Sequence, residues 1–141
     1  MDSFATETSS LILNGNGITD FAIGDYLELN AVNGITARVK GRNSVTISKR
    51  ADAGVYDLVV RVMRYGKDDI YFNTQMQKDS PVVFNGSLKS NYITEEGVQA
   101  VESWDLRSGS FTTAPSVVYN NQDGNALMEY TIQFNQAVRT I

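Results

Sequence analysis

The feature that most limits what this chain can fold into is an alternation of apolar and polar residues with period two, repeated along much of its length. Only an extended strand places successive side chains on opposite faces, so the pattern selects strands with one face against a core. The clearest case is late in the chain, where Met128, Tyr130, Ile132 and Phe134 alternate with Glu129, Thr131, Gln133 and Asn135. Leu27, Leu29 and Ala31 likewise share a face opposite Tyr26, Glu28 and Asn30. Val98–Leu106 groups Val98, Ala100, Trp104 and Leu106, which makes Trp104 most simply a core residue, and Phe111–Asn120 is β-branched and aromatic. Val55–Arg64 carries Tyr56, Leu58, Val60 and Val62 on one face with Asp57 and Arg61 on the other. That other face also holds Val59 and Met63, so a central strand buried on both sides is expected. Asn14-Gly15-Asn16-Gly17, Ser108-Gly109-Ser110 and Asp123-Gly124-Asn125 supply turn chemistry between the runs.

One stretch departs from the alternation. Lys67–Lys78 (KDDIYFNTQMQK) has acids at its start, Lys78 at its end, no Gly or Pro, and Phe72 four residues before Met76. Those are helix signals, with Asp68 and Asp69 favouring the positive N-terminus. Ile70-Tyr71-Phe72 would also serve as a strand, so the spacing predicts a short helix over 67–78 without excluding the other state. The architecture expected is mainly β: an antiparallel sandwich or barrel of about eight strands, with one short flanking helix.

At 141 residues the chain suits a single domain over 1–141. It contains no histidine and no cysteine, which removes the commonest general base, the thiol nucleophile, disulfides and the usual zinc and iron ligands. Met1–Ser10 lacks a basic start and an apolar core, and no apolar run is long enough to span a bilayer. A soluble chain without a general export signal, and with little equipment for catalysis, is therefore expected.

Carboxylate chemistry finds little support. Asp68-Asp69 and Glu95-Glu96 are adjacent, and neighbours on a helix or strand point apart. A glycosidase needs two carboxylates converging from separate elements, which sequence neither shows nor excludes. Gly15-x-Gly17 lacks the third glycine of a dinucleotide site, and Gly66-Lys67 is followed by Asp68 where a phosphate loop needs Ser or Thr. Asn121-x-Asp123-Gly124-Asn125 offers too few oxygen ligands for an EF-hand and reads better as a turn. Asn85-Gly86-Ser87 fits the glycosylation pattern, which matters only in secreted chains.

The net charge of −4 conceals a strong asymmetry. Residues 1–28 hold five acids and no base, 29–94 hold ten bases and five acids, and 95–141 hold six acids and two bases. Leu29 to Ala51 alone contains five bases and no acid. Such patterning speaks about partners rather than fold; it describes either a solvated face or a surface made to meet an acidic one. Nucleic-acid binding by 38–50 is disfavoured, because no aromatic there could stack on a base and the whole chain is acidic.

The same region breaks the core pattern. Asn33-Gly34 predicts a two-residue hairpin turn. Ile35, Ala37 and Val39 then alternate with Thr36, Arg38 and Lys40. After Gly41–Asn43, Val45 and Ile47 alternate with Thr46, Ser48 and Arg50, until Ala51–Gly54 ends the pattern. This predicts a long protruding hairpin loop over 31–54 with a basic, hydroxyl face (Thr36, Arg38, Lys40, Thr46, Ser48, Arg50) and an apolar face (Ile35, Ala37, Val39, Val45, Ile47). An isolated hairpin is marginal in water, so it either folds back on its own sheet or packs on a neighbouring copy.

The order of segments FAIGDYLEL, a long interrupted loop, VYDLVVRVMR, KDDIYFNTQM, PVVFNG, AVESWDL and MEYTIQF resembles the inner tail tube proteins of contractile-tailed bacteriophages. These are related by fold to the tube subunits of type VI secretion systems and contractile bacteriocins. The resemblance runs from about Ser10 to Val138 and rests on element order and length. It implies a structural, non-enzymatic role without cofactor or metal: a β-barrel with one flanking helix, forming hexameric rings stacked into a hollow conduit for DNA. Sheets of adjacent subunits would line an often acidic lumen, and the loop Ala31–Gly54 would reach the next ring. Implied partners are further copies of the chain, the sheath, the baseplate and the tail terminator, in a virion tail assembled in the host cytoplasm, with no membrane insertion.

The strongly basic loop departs from the family. It leads to the expectation that Arg38, Lys40, Arg42, Lys49 and Arg50 meet acids of the neighbouring ring while Ile35, Val39, Val45 and Ile47 pack on a copy. Two rivals stand beside this reading. One is a tail-associated ligand- or carbohydrate-binding β-sandwich with a concave aromatic patch from Tyr65, Tyr71 and Tyr92; the other is a carboxylate-dependent hydrolase.

Overall fold

In the computed structural model, residues 6–22, 26–93, 96–115 and 127–141 are described. Their elements are strands β1 (Thr6–Leu13), β2 (Asn16–Ile18), β3 (Leu27–Ala31), β4 (Thr36–Lys40), β5 (Val45–Lys49) and β6 (Tyr56–Met63), helix α1 (Lys67–Met76), and strands β7 (Phe84–Ile93), β8 (Gln99–Phe111) and β9 (Leu127–Thr140). Seven strands form one sheet in the order β2-β1-β7-β8-β9-β6-β3, every pairing antiparallel, and β4 and β5 form a separate two-stranded sheet.

The large sheet does not close into a barrel, since β2 and β3 are its two ends. It curls upon itself instead. Leu11 and Leu13 of β1 and Phe84 of β7 share one buried cluster with Leu58, Val60 and Val62 of β6 and Met128, Tyr130, Ile132 and Phe134 of β9. Strands at opposite flanks of one sheet therefore face each other across a single core, as in a β-sandwich.

Helix α1 closes the gap between them. Its Phe72 is fully buried and meets the rings of Tyr130 at 5.0 Å and Phe111 at 6.2 Å, while Phe84 meets Phe111 edge-on at 5.2 Å. The helix ends at Met76, so Lys78 lies beyond its last turn. Both acids sit in the first turn but do more than offset the dipole. Asp68, buried, accepts hydrogen bonds from the Thr19 and Asp20 amides at 2.9 and 2.6 Å, tying the chain after β2 to the helix. Asp69 accepts from the Tyr65 amide at 2.9 Å and from the Tyr130 hydroxyl at 2.5 Å. Burial, followed by that bond, pushes the Tyr130 hydroxyl well above the usual tyrosine range.

Several expectations change. The turn after β1 is Asn14-Gly15 alone, with φ of 51° and 79°, and Asn16 and Gly17 already belong to β2. The expected Val55–Arg64 strand forms over Tyr56–Met63, but β6 lies one place from the sheet edge and not at its centre; Val59 is buried while Met63 is only half-buried. Ser108-Gly109-Ser110 is not a turn: it lies inside β8. Ser108 has φ of 56°, and Gly109 presses its bare Cα against the Phe134 ring, where a Cβ would collide. Buried positions shift there from Leu106 to Gly109 on β8 and from Phe134 to Ala137 on β9, so both long strands lose their period of two at the same level. Phe111 ends β8 and 112–115 are not in a strand; the rest of the expected Phe111–Asn120 strand and the Asp123-Gly124-Asn125 turn lie outside the described residues. Glu95 of the Glu95-Glu96 pair does too. Trp104 sits at the margin of the core, edge-on to Tyr56 at 5.3 Å, with its indole N–H donated to Glu102.

Candidate assembly interface

Among the described elements, only the β4–β5 hairpin supplies no residue to the buried cluster or to the partly buried side chains packed against it. All residues of both strands are exposed, Ile35 and Val39 to 67% each and Val45 and Ile47 to 51% and 56%. It therefore does not fold back on its own sheet. It continues the β3–β6 pair outward: Val32 N donates to Val55 O, the Asn33 carboxamide to Asp52 O at 3.4 Å, and Arg50 N to Ile35 O at 2.9 Å. Ala137 N also donates to Gly54 O, fastening the root of the hairpin to β9 where that strand changes phase.

Asn33-Gly34 is not the expected hairpin turn. Gly34 does not adopt positive φ, β3 pairs with β6, and β4 pairs with β5. The tip is Gly41–Ser44, closed by Gly41 N to Ser44 O at 2.7 Å. That turn sets a register with Thr36 opposite Lys49, Arg38 opposite Ile47, Val39 opposite Thr46 and Lys40 opposite Val45. Residues opposite one another share a face, so the clean separation of a basic and an apolar face is overturned. One face carries Arg38, Lys40 and Lys49 with Val45 and Ile47; the other carries Ala37 and Val39 with Thr46 and Ser48. Turn length outranks the pattern within each strand, because a slip of one residue exchanges all the partners.

The five bases of this region are unequal. Arg50 is held by Asp52 through two bonds of 3.0 and 3.1 Å. Arg38, Lys40, Arg42 and Lys49 form no ion pair with any described residue. Elsewhere Arg61, Arg107 and Arg139 pair with acids of the same sheet. Arg61 bridges Glu28 of β3 and Glu129 of β9 at 3.0 Å each, and the bond to Glu28 is the first cause holding its guanidinium above its ordinary pKa. Arg139 donates to Glu102 at 2.6 Å.

Glu102 carries a pH signature. The Arg139 bond first, then the Trp104 bond, lowers its pKa below the usual 4.5 against opposing burial. The folded state favours the carboxylate, so the stabilisation is complete above 4.5 and fades as pH falls through the lowered value. Replacing Glu102→Gln is expected to lower the urea midpoint at neutral pH, with the gap to wild type closing in acid. A gap that stays constant in acid would refute the assignment.

Other candidate chemistry does not converge. Tyr65 and Tyr92 line separate hollows of about 330 and 270 Å³, and Tyr71 packs at the core margin, so no shared aromatic patch forms. Among the described residues no group of three metal-ligating side chains gathers, and no helix is long and apolar enough to cross a membrane.

No protein-family model matches the chain, and no curated protein does so by sequence. Its shape has counterparts among solved structures. The tube-terminating cap of the anti-feeding prophage is similar with a TM-score of 0.60 at 10% identity, over 94% of this chain and 87% of that one. A chain of the sheath–tube complex of an extracellular contractile injection system, PVC, gives 0.61 at 9% identity over 94% and 87%. A chain of the PVC sheath/tube terminator gives 0.61 at 10% identity over 94% and 93%. At such identities the likeness is one of fold.

Proposed function

We propose that this chain is a structural subunit of a contractile tail or a related injection apparatus, in which six copies close a ring and rings stack into a hollow conduit. The reading rests on the comparison above: a fold shared over 94% of the chain with components of tubes, caps and terminators. The hairpin supports it, since a two-stranded unit that displays four aliphatics and buries none of them needs a surface from outside its own chain.

In this reading residues 1–141 act as one domain, and the bases Arg38, Lys40, Arg42 and Lys49 meet acids of a neighbouring ring beside Val45 and Ile47. On the opposite face Ile35 and Val39 pack on a copy, and Arg50 stiffens the root through Asp52. Sheath, baseplate and terminator proteins are the further partners, the particle's tail is the location, and DNA passes through without specific contacts. The chain performs no chemistry itself.

Negative-stain microscopy of the purified protein, with light scattering on the same sample, tests this. Rings or tubes are expected. A monodisperse monomer at the highest soluble concentration and low salt would overturn the reading.

A further inference from the structure

We propose that Asn33-Gly34, at the root of the hairpin, is a self-modifying site at which the asparagine converts to aspartate and isoaspartate. Four Asn-Gly steps occur in the chain, at 14–15, 16–17, 33–34 and 85–86. Glycine hinders its own amide nitrogen least, so each is chemically able to cyclise; the fold decides which one does.

Three of them are restrained. Asn14 uses both ends of its carboxamide, donating to Val83 O at 3.0 Å and accepting from Asn85 N at 2.9 Å. Asn85 accepts from Ser108 N at 3.0 Å, and Gly86 is pressed against the Ile12 carbonyl inside the β7 ladder. Asn16 is held in extended backbone opposite Leu13.

Asn33-Gly34 lies outside any strand, between the end of β3 and the start of β4. Gly34 is exposed, a Cβ there would have nothing within 4 Å, and its N–H makes no hydrogen bond with a described residue. Only the 3.4 Å bond from the Asn33 carboxamide to Asp52 O restrains the side chain.

The reaction needs only solvent. The Gly34 amide nitrogen loses its proton to a solvent base and attacks Asn33 Cγ. The Cγ–Nδ2 bond breaks, ammonia leaves, and a five-membered succinimide remains. Water then adds to either ring carbonyl, opening the ring to an α-linked aspartate or to an isoaspartyl linkage that carries the main chain through Cγ. Both products add one negative charge and lose the donor to Asp52 O, and the isoaspartyl form lengthens the main chain by one atom. The hairpin root is thereby loosened beside the Arg50–Asp52 pair.

The full chain incubated at pH 8.5 and analysed by mass spectrometry tests the proposal without reference to assembly. No base precedes Arg38, so Asn14, Asn16 and Asn33 share one tryptic peptide and fragmentation must locate the added mass of about 1 Da. Conversion is expected at residue 33 roughly thirtyfold faster than at residue 14, the factor that two protecting hydrogen bonds supply. An isoaspartyl methyltransferase should label the product, and Asn33→Gln and Gly34→Ala should each remove the label while leaving the unfolding midpoint near wild type. Equal conversion at all four steps, or faster conversion elsewhere, would overturn the proposal.

Discussion

Reversing Arg38, Lys40 and Lys49 together to glutamate is expected to abolish assembly while leaving the monomer folded. The three share one face of the hairpin with Val45 and Ile47, and none forms an ion pair with a described residue. Each replacement changes the charge by two, taking the net charge from −4 to −10. A single exposed ion pair contributes about 0.2–1 kcal/mol, so one substitution would do little. Repetition around the proposed ring would multiply the effect, and like charges set against the proposed acidic neighbour would convert each attraction into repulsion. Every residue of both hairpin strands is exposed, so the monomer's stability should change by no more than about 0.5 kcal/mol. Sedimentation and microscopy read the first effect, urea unfolding the second. Unimpaired tubes from the triple variant would sink the charge-complementary interface, and an unfolded monomer would show that the hairpin supports its own domain. Wild-type assembly should also weaken as salt is raised, because exposed pairs are screened within about 10 Å at 0.1 M.

The second large effect belongs to the core. Phe72→Ala should cost about 3–5 kcal/mol, a large part of the 5–15 kcal/mol available to a domain of this kind. Phe72 is the one fully buried apolar side chain of α1 and the hub of the Tyr71, Tyr130 and Phe111 rings. Without it the helix keeps Asp68 and Asp69 as anchors but loses its apolar hold on the sheet. Phe72→Leu should cost less than about 1.5 kcal/mol, since most of the volume stays. Urea unfolding followed by circular dichroism measures both, and a loss below about 1 kcal/mol for the alanine variant would mean that the helix is held chiefly by its carboxylates.

Much of this architecture was legible in the residues. Met128–Phe134 alternates as cleanly in the structure as in the sequence, and Leu27 and Leu29 also face the core, whereas Ala31, expected beside them, is exposed. Of the 67–78 stretch, Lys67–Met76 is helical, and Phe72 is its one buried apolar side chain while Ile70 is exposed. What stayed hidden depended on contacts distant in sequence. Ser108-Gly109-Ser110 has the composition of a turn, but its glycine is required by the ring of Phe134 on the adjacent strand. Asn33-Gly34 has the ideal hairpin dipeptide, yet β3 finds a better partner in β6, whose Leu58 and Val60 complete the core. The hairpin's five bases were visible from the start. Which aliphatics stand beside them was not, because that depends on a turn of Gly41–Ser44 whose length, not its composition, sets the register.

The attachment of the hairpin also has a mechanical meaning. Its two strands run on from β3 and β6, and β6 is matched to β9 over residues 56–63. A force applied at the tip is thus directed along the strands, and slippage requires the rungs of the β6–β9 ladder to yield together. A force across the ribbon would instead peel them one after another. The added fastening of Gly54 to Ala137 guards the point where peeling would begin. In the proposed tube, a subunit gripped by this arm would resist axial tension far better than sideways tearing.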